Sequence, residues 1–126
     1  GGNIAISAAI STQQPNYSWC SKYGTSGAIT LSAVNGMISS TSAGTLNAGG
    51  GINGCATGYD GNGGAISIIA ASVKLLGVLT SSTRYSASAG FYGNISITNT
   101  NTSVTGVGGV NDGIRSVISG RKFNKI

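Results

Sequence analysis

Few residues in this chain can do acid–base or metal chemistry. Its 126 residues include no histidine, and only two are acidic. Without imidazole there is no Ser-His or Cys-His relay and no histidine metal ligand. The acids, Asp60 and Asp112, stand far apart in sequence. Glycosidic cleavage uses two carboxyls, and calcium-assisted elimination uses several. The expectation is therefore no catalytic residue, no cofactor and no metal. Gly49, Gly51 and Gly54 fit a dinucleotide-type glycine pattern, but Cys55-Ala56-Thr57-Gly58 follows where a helix N-terminus would have to lie. Asp60-Gly61-Asn62 lacks the later acid of a calcium loop and reads as a turn.

The remaining polar chemistry is that of recognition and cross-linking. Cys20 and Cys55 are the only cysteines. Two thiols cannot fill a four-ligand zinc site, which leaves a disulfide or a pair of buried thiols. We expect the bridge, which in the chain-entropy model is worth roughly 3–4 kcal/mol. Tyr17, Trp19 and Tyr23 share one polar stretch. They suit a contact with another subunit, cover for the core, or stacking on the apolar face of a sugar. Thr98, Thr100 and Thr102 alternate, so their side chains would point the same way. Such an array suits a solvated or sugar-carrying strand, or an ice-binding face.

The formal net charge is +5, and Arg115, Arg121, Lys122 and Lys125 gather near the C-terminus. A basic tail suits a solvated terminus or a contact with a neighbouring subunit, or else seeks nucleic acid, anionic polysaccharide or lipid headgroups. The basic residues are not interleaved with aromatics that could stack on bases, so nucleic acid is not expected. No apolar run is long enough for a membrane span. The stretch from Ala65 to Leu79 is interrupted by Ser67, Ser72 and Lys74.

The elements that must position these residues are announced by a phrase occurring four times, a glycine followed by two aliphatics one residue apart. It reads Gly2-Asn3-Ile4-Ala5-Ile6, Gly27-Ala28-Ile29-Thr30-Leu31, Gly64-Ala65-Ile66-Ser67-Ile68 and Gly93-Asn94-Ile95-Ser96-Ile97. Alternation with period two is a half-buried strand. Its return along the chain predicts a coil whose copies stack. Only 7% of residues are charged, and glycine numbers 22. Glutamate is absent, which leaves helix poorly supported.

The fold class expected is all-β, a parallel β-solenoid of about four to five rungs in one domain spanning residues 1–126. Ile4, Ile6, Ile29, Leu31, Ile66, Ile68, Ile95 and Ile97 would form its stacking core. A following apolar piece (Ile10, Ile38, Val73–Leu76, Val104) would occupy the next side of each rung. Asn35-Gly36 signals a tight turn between strands at 28–33 and 37–40. If those strands paired as a hairpin, the domain would instead be a β-sandwich, with a donated strand as its route to assembly.

The stretch from Gly61 to Ser116, beginning Gly61-Asn62-Gly63-Gly64-Ala65-Ile66-Ser67-Ile68, resembles filamentous-haemagglutinin-type repeats of large secreted bacterial adhesins. The resemblance implies a right-handed parallel β-helix, export, and a cell-surface or extracellular role. The chain is short for that family and begins Gly1-Gly2 rather than with methionine. It is expected to be processed or a segment of a longer chain. The function expected is a structural subunit of an extracellular filament or surface adhesin. Its partners would be copies of itself joined at exposed strand edges, and surface polysaccharide. Donor-strand assembly of a pilin-like sandwich and an ice- or carbohydrate-binding module are the alternatives.

Overall fold

A computed structural model describes residues 2–13, 25–51, 61–81 and 93–111, the last stretch beyond Thr100 through its backbone. All regular structure among these residues is strand. β1 is Ile4–Ile6, β2 Ile10–Ser11, β3 Ile29–Ser40, β4 Leu46–Asn47, β5 Ile66–Thr80 and β6 Ile95–Asn111. They form one six-stranded sheet in which every strand pairing is parallel. A parallel pair cannot be closed by a tight hairpin and needs a crossover of a dozen or more residues. The glycine-rich and polar stretches between Ser11 and Ile29, Asn47 and Ile66, and Thr80 and Ile95 supply that length.

β5 is the centre of the sheet. Along one edge it pairs with β3 and then β4, and along the other with β6. Three segments therefore follow one another in the same order. The first aligns Ile29 with Ile66 and Ile95, and Leu31 with Ile68 and Ile97. The second aligns Ile38 with Val73 and Val104, and the third aligns Leu46 with Leu79 and Val110. β1 and β2 extend only the second and third of these: Ile4 pairs with Ile38, and Ile10 pairs with Leu46.

The first copy of the repeated phrase is thus displaced from the place expected for it. Ile4 and Ile6 align with Ile38 and Ser40, not with Ile29 and Leu31. Ile10 correspondingly joins Leu46 rather than Ile38. Gly36 shows the physical reason. A Cβ there would collide with the Gly2 carbonyl oxygen, and Asn3 Oδ1 accepts the Met37 amide proton at 2.9 Å. The Gly-Asn of the first phrase is consumed in docking on the β3 irregularity instead of opening a first segment.

Asn35-Gly36 does not reverse the chain. β3 runs through it without a break, and the register with β5 shifts between Ala33 and Met37. Val34, Asn35 and Gly36 stand where β5 has Ala71 alone. The side-chain alternation changes phase at the same place. Val34 and Asn35 are both exposed, and Ala71 and Ser72 are both half-buried, before buried positions resume at Gly36 and Val73. The turn chemistry is real, but it is spent on a bulge that re-aims the strand.

The core is the inward side of these columns. Ile38, Leu46, Ile66, Ile68, Val73, Leu75, Leu79, Ile95 and Ile97 are essentially fully buried, and Ile4 and Leu31 pack against them. Two of the buried hydroxyls, those of Ser40 and Ser81, bond to nearby backbone, as burial requires. Ser40 Oγ accepts the amides of Leu76 and Gly77, both at 3.1 Å, and the Ser81 hydroxyl donates to the Gly93 carbonyl at 2.8 Å.

Candidate assembly surface

The glycine of the repeated phrase has a steric purpose. A Cβ on Gly64 would fall on the carbonyl oxygen of Gly27, and one on Gly93 on that of Gly64. The three glycines form a column in which each backbone approaches the next too closely for a side chain. A Cβ on Gly2 would meet nothing within 4 Å, in keeping with the separate docking of the first phrase.

The same corner fixes the ends of the long connections. The Gly64 amide donates to Ala48 O at 2.7 Å, and the Gly93 amide to Ser81 O at 2.9 Å. The stretches from Gly49 to Gly63 and from residue 82 to residue 92 therefore leave and rejoin the sheet at neighbouring points. Neighbouring connections are also tied to each other. Ser26 N donates to Asn62 O at 3.0 Å, and Thr25 forms an isolated parallel bridge with Asn62. The Ser26 hydroxyl donates to Gly49 O at 2.5 Å, and Asn47 Nδ2 to Gln13 Oε1 at 2.8 Å.

Cys20 and Cys55, and Tyr17, Trp19 and Tyr23, lie outside the described residues. So do Asp60, Asp112 and the basic tail. Their flanks are placed: the segment holding Cys20 leaves from Gln13 and returns at Thr25, and that holding Cys55 leaves from Gly51 and returns at Gly61.

Two kinds of surface remain for binding. The first is the pair of strand edges. Among the described residues β6 pairs only with β5, β1 only with β3, and the Ile29–Ala33 part of β3 only with β5. An unpaired edge carries backbone donors and acceptors ready for another strand. The second is the outward face. Thr30, Ser67 and Ser96 share one row, and Ser32, Ile69 and Thr98 the next. Thr98 and Thr100 are both exposed, but Thr98 aligns with Ile69 and Ser32 rather than with further threonines. The Thr100 hydroxyl is engaged with the Val34 carbonyl at 2.8 Å.

Among the described residues there is no group of three or more His, Cys, Asp or Glu able to hold a metal, and Lys74 is the only charged side chain. No helix among them is long and apolar enough to cross a membrane. Comparison with known families, curated proteins and solved structures finds no match.

The sequence reading missed β4. Leu46 is one aliphatic in Gly44-Thr45-Leu46-Asn47-Ala48, too short a run to show alternation, yet it is fully buried between Ile10 and Leu79. It also missed the inward serines Ser26, Ser40 and Ser81, because a hydroxyl bonded to backbone inside the core looks in sequence like any outward serine.

Proposed function

We propose that this chain is a three-sided parallel β-solenoid acting as a structural element of an extracellular filament or surface adhesin, and that it assembles through its strand edges. One observation carries the reading: β5 is paired along both edges by chain segments in the same order, with the phrase glycines and isoleucines in column. The same three segments recur in order on both sides of β5, with a phase shift of the side chains between them, as a chain wound around a thin core would have them.

In this reading Ile4, Ile10 and the Ile29–Ala33 segment face one end of the stack, and β6 faces the other. The terminal layers carry the same residue classes as the inner ones: Ile29 against Ile66 and Ile95, and Ile10 against Leu46 and Leu79. A second copy placed on either edge continues existing columns instead of requiring a new interface. Main-chain hydrogen bonds would supply affinity and side-chain columns the register.

The sequence has no histidine and only two acids, and among the described residues no group of three or more His, Cys, Asp or Glu comes together; we read the protein as a non-enzyme. The expected Cys20–Cys55 bridge would tie two connections whose ends are already hydrogen-bonded near Asn62, and would stiffen that corner outside the cell, where disulfides persist.

Negative-stain electron microscopy with size-exclusion chromatography of the purified chain tests the assembly. Filaments or ladders of stacked oligomers at high protein concentration are expected. Monodisperse monomers across the whole concentration range would end the proposal.

A further inference from the structure

Lys74 is the one charged side chain in the described surface, and its surroundings are unlike the rest of that surface. It is exposed on the outward face of β5, in register with Ser39 of β3, which is in register with Ala5 of β1. Ala5 and Ser39 are small, so this row forms a floor. Met37 lies two residues before Ser39, and Leu76 two residues after Lys74, on the same face. Both are large, apolar and exposed, at 37% and 48%. They stand as walls on either side of the floor, roughly 13 Å apart from the strand rise over four residues.

The result is an open trough of about 490 Å³, with Ser42 also in its lining. That volume lies within the roughly 300–1,000 Å³ of small-ligand sites. Those sites enclose their ligand, whereas this one is open to solvent. Its shape suits one stretch of a polymer passing through it rather than an engulfed small molecule.

We infer that this trough binds an anionic polysaccharide of the uronic-acid class. The carboxylate would pair with the Lys74 ammonium, ring hydroxyls would meet Ser39 and Ser42, and the C–H face of the sugar would lie against Met37 and Leu76. Charge complementarity chooses this occupant. A neutral glycan leaves Lys74 unused, and a peptide strand would seek an edge, whereas this trough is a sheet face. The inference goes beyond assembly and needs only that this face be open.

The test is isothermal titration of the purified chain with an oligogalacturonate, and with its methyl ester, in which the carboxylates are neutralised. Three proteins are compared: the native chain, Lys74→Gln, and a tail variant carrying Arg121→Gln, Lys122→Gln and Lys125→Gln. The oligogalacturonate is expected to bind the native chain and the tail variant alike. Binding to Lys74→Gln is expected to be roughly tenfold weaker or lost, as is binding of the ester. Circular dichroism of Lys74→Gln should match the native chain, since Lys74 is exposed. A second variant, Ser39→Leu, fills the floor and should also abolish binding. Absence of binding to the native chain overturns the proposal. So does equal affinity for Lys74→Gln or for the ester, or a loss confined to the tail variant. Filament imaging reads none of these, so the assembly proposal can fail while this one holds, and the reverse.

Discussion

The hydroxyl of Thr100 donates to the carbonyl of Val34 at 2.8 Å, joining two strands that are each paired to β5 and not to one another. The bond exists because both neighbours of β5 are longer than it at one place. Val34, Asn35 and Gly36 on one edge, and Thr100, Asn101 and Thr102 on the other, stand against Ala71 alone. The extra residues on each edge bring a side chain of one within hydrogen-bond reach of the backbone of the other. Thr100→Val is expected to destabilise the protein by about 0.5–1.5 kcal/mol, the net worth of one such bond, and towards the low end because the site is exposed. Thr98→Val, on the same face, should change stability by less. Urea unfolding of both variants measures the difference.

Substitution of the phrase glycines should separate sharply by position. Gly64→Ala and Gly93→Ala each put a methyl group on the carbonyl of the glycine that leads the adjoining phrase. That obstacle is backbone, which cannot rotate aside, so a loss of about 1–3 kcal/mol or more is expected, as for overpacked cores. Gly2→Ala meets open space and should be close to neutral. Thermal melts of the three variants check the order.

Ser40 is a buried hydroxyl holding two backbone amides, those of Leu76 and Gly77. Ser40→Ala leaves both without that acceptor, at a cost of about 1–3 kcal/mol for each donor left unsatisfied. Ser39→Ala, one residue away and pointing outward, should be nearly silent. The amide protons of Leu76 and Gly77 should exchange faster in Ser40→Ala, which hydrogen exchange reads directly.

Ile68 is fully buried at the middle of the Leu31–Ile68–Ile97 column. Ile68→Ala removes methylenes that the surrounding strands cannot replace, and about 2–5 kcal/mol of stability should go with them. Ile10→Ala, at an end of its column and 38% exposed, should lose much less. Denaturant midpoints of the two variants compare them.

The expected Cys20–Cys55 bridge makes a prediction of its own. Thiol titration of the unfolded, unreduced protein should find no free thiol, and reduction should lower stability by roughly 3–4 kcal/mol in the chain-entropy model. Two titratable thiols before reduction would remove the bridge.

How much was legible in the sequence depends on how each residue signals its place. The three phrases at Gly27, Gly64 and Gly93 declared both their strands and their mutual register, because glycine and two alternating aliphatics recur intact. The first phrase carried the same letters and went elsewhere. Its pairing with Ile38 depends on where Gly36 can accept a neighbouring backbone, a contact distant in sequence. Asn35-Gly36 was legible as a turn signal but not as a bulge, since local turn chemistry does not say whether the chain reverses or only bends. Of the surfaces, the strand edges followed from the periodicity. The Lys74 trough did not, because it is made by the register of three strands and not by any run of residues.

The central claim is that the phrases stack in parallel columns, and nuclear Overhauser contacts between backbone protons of residues 66–70 and 95–99 test it most directly. The account requires contacts that ascend together, with Ile66 near Ile95, Ile68 near Ile97 and Ala70 near Asn99. Contacts running in opposite order, with Ile66 near Asn99 and Ala70 near Ile95, would contradict it.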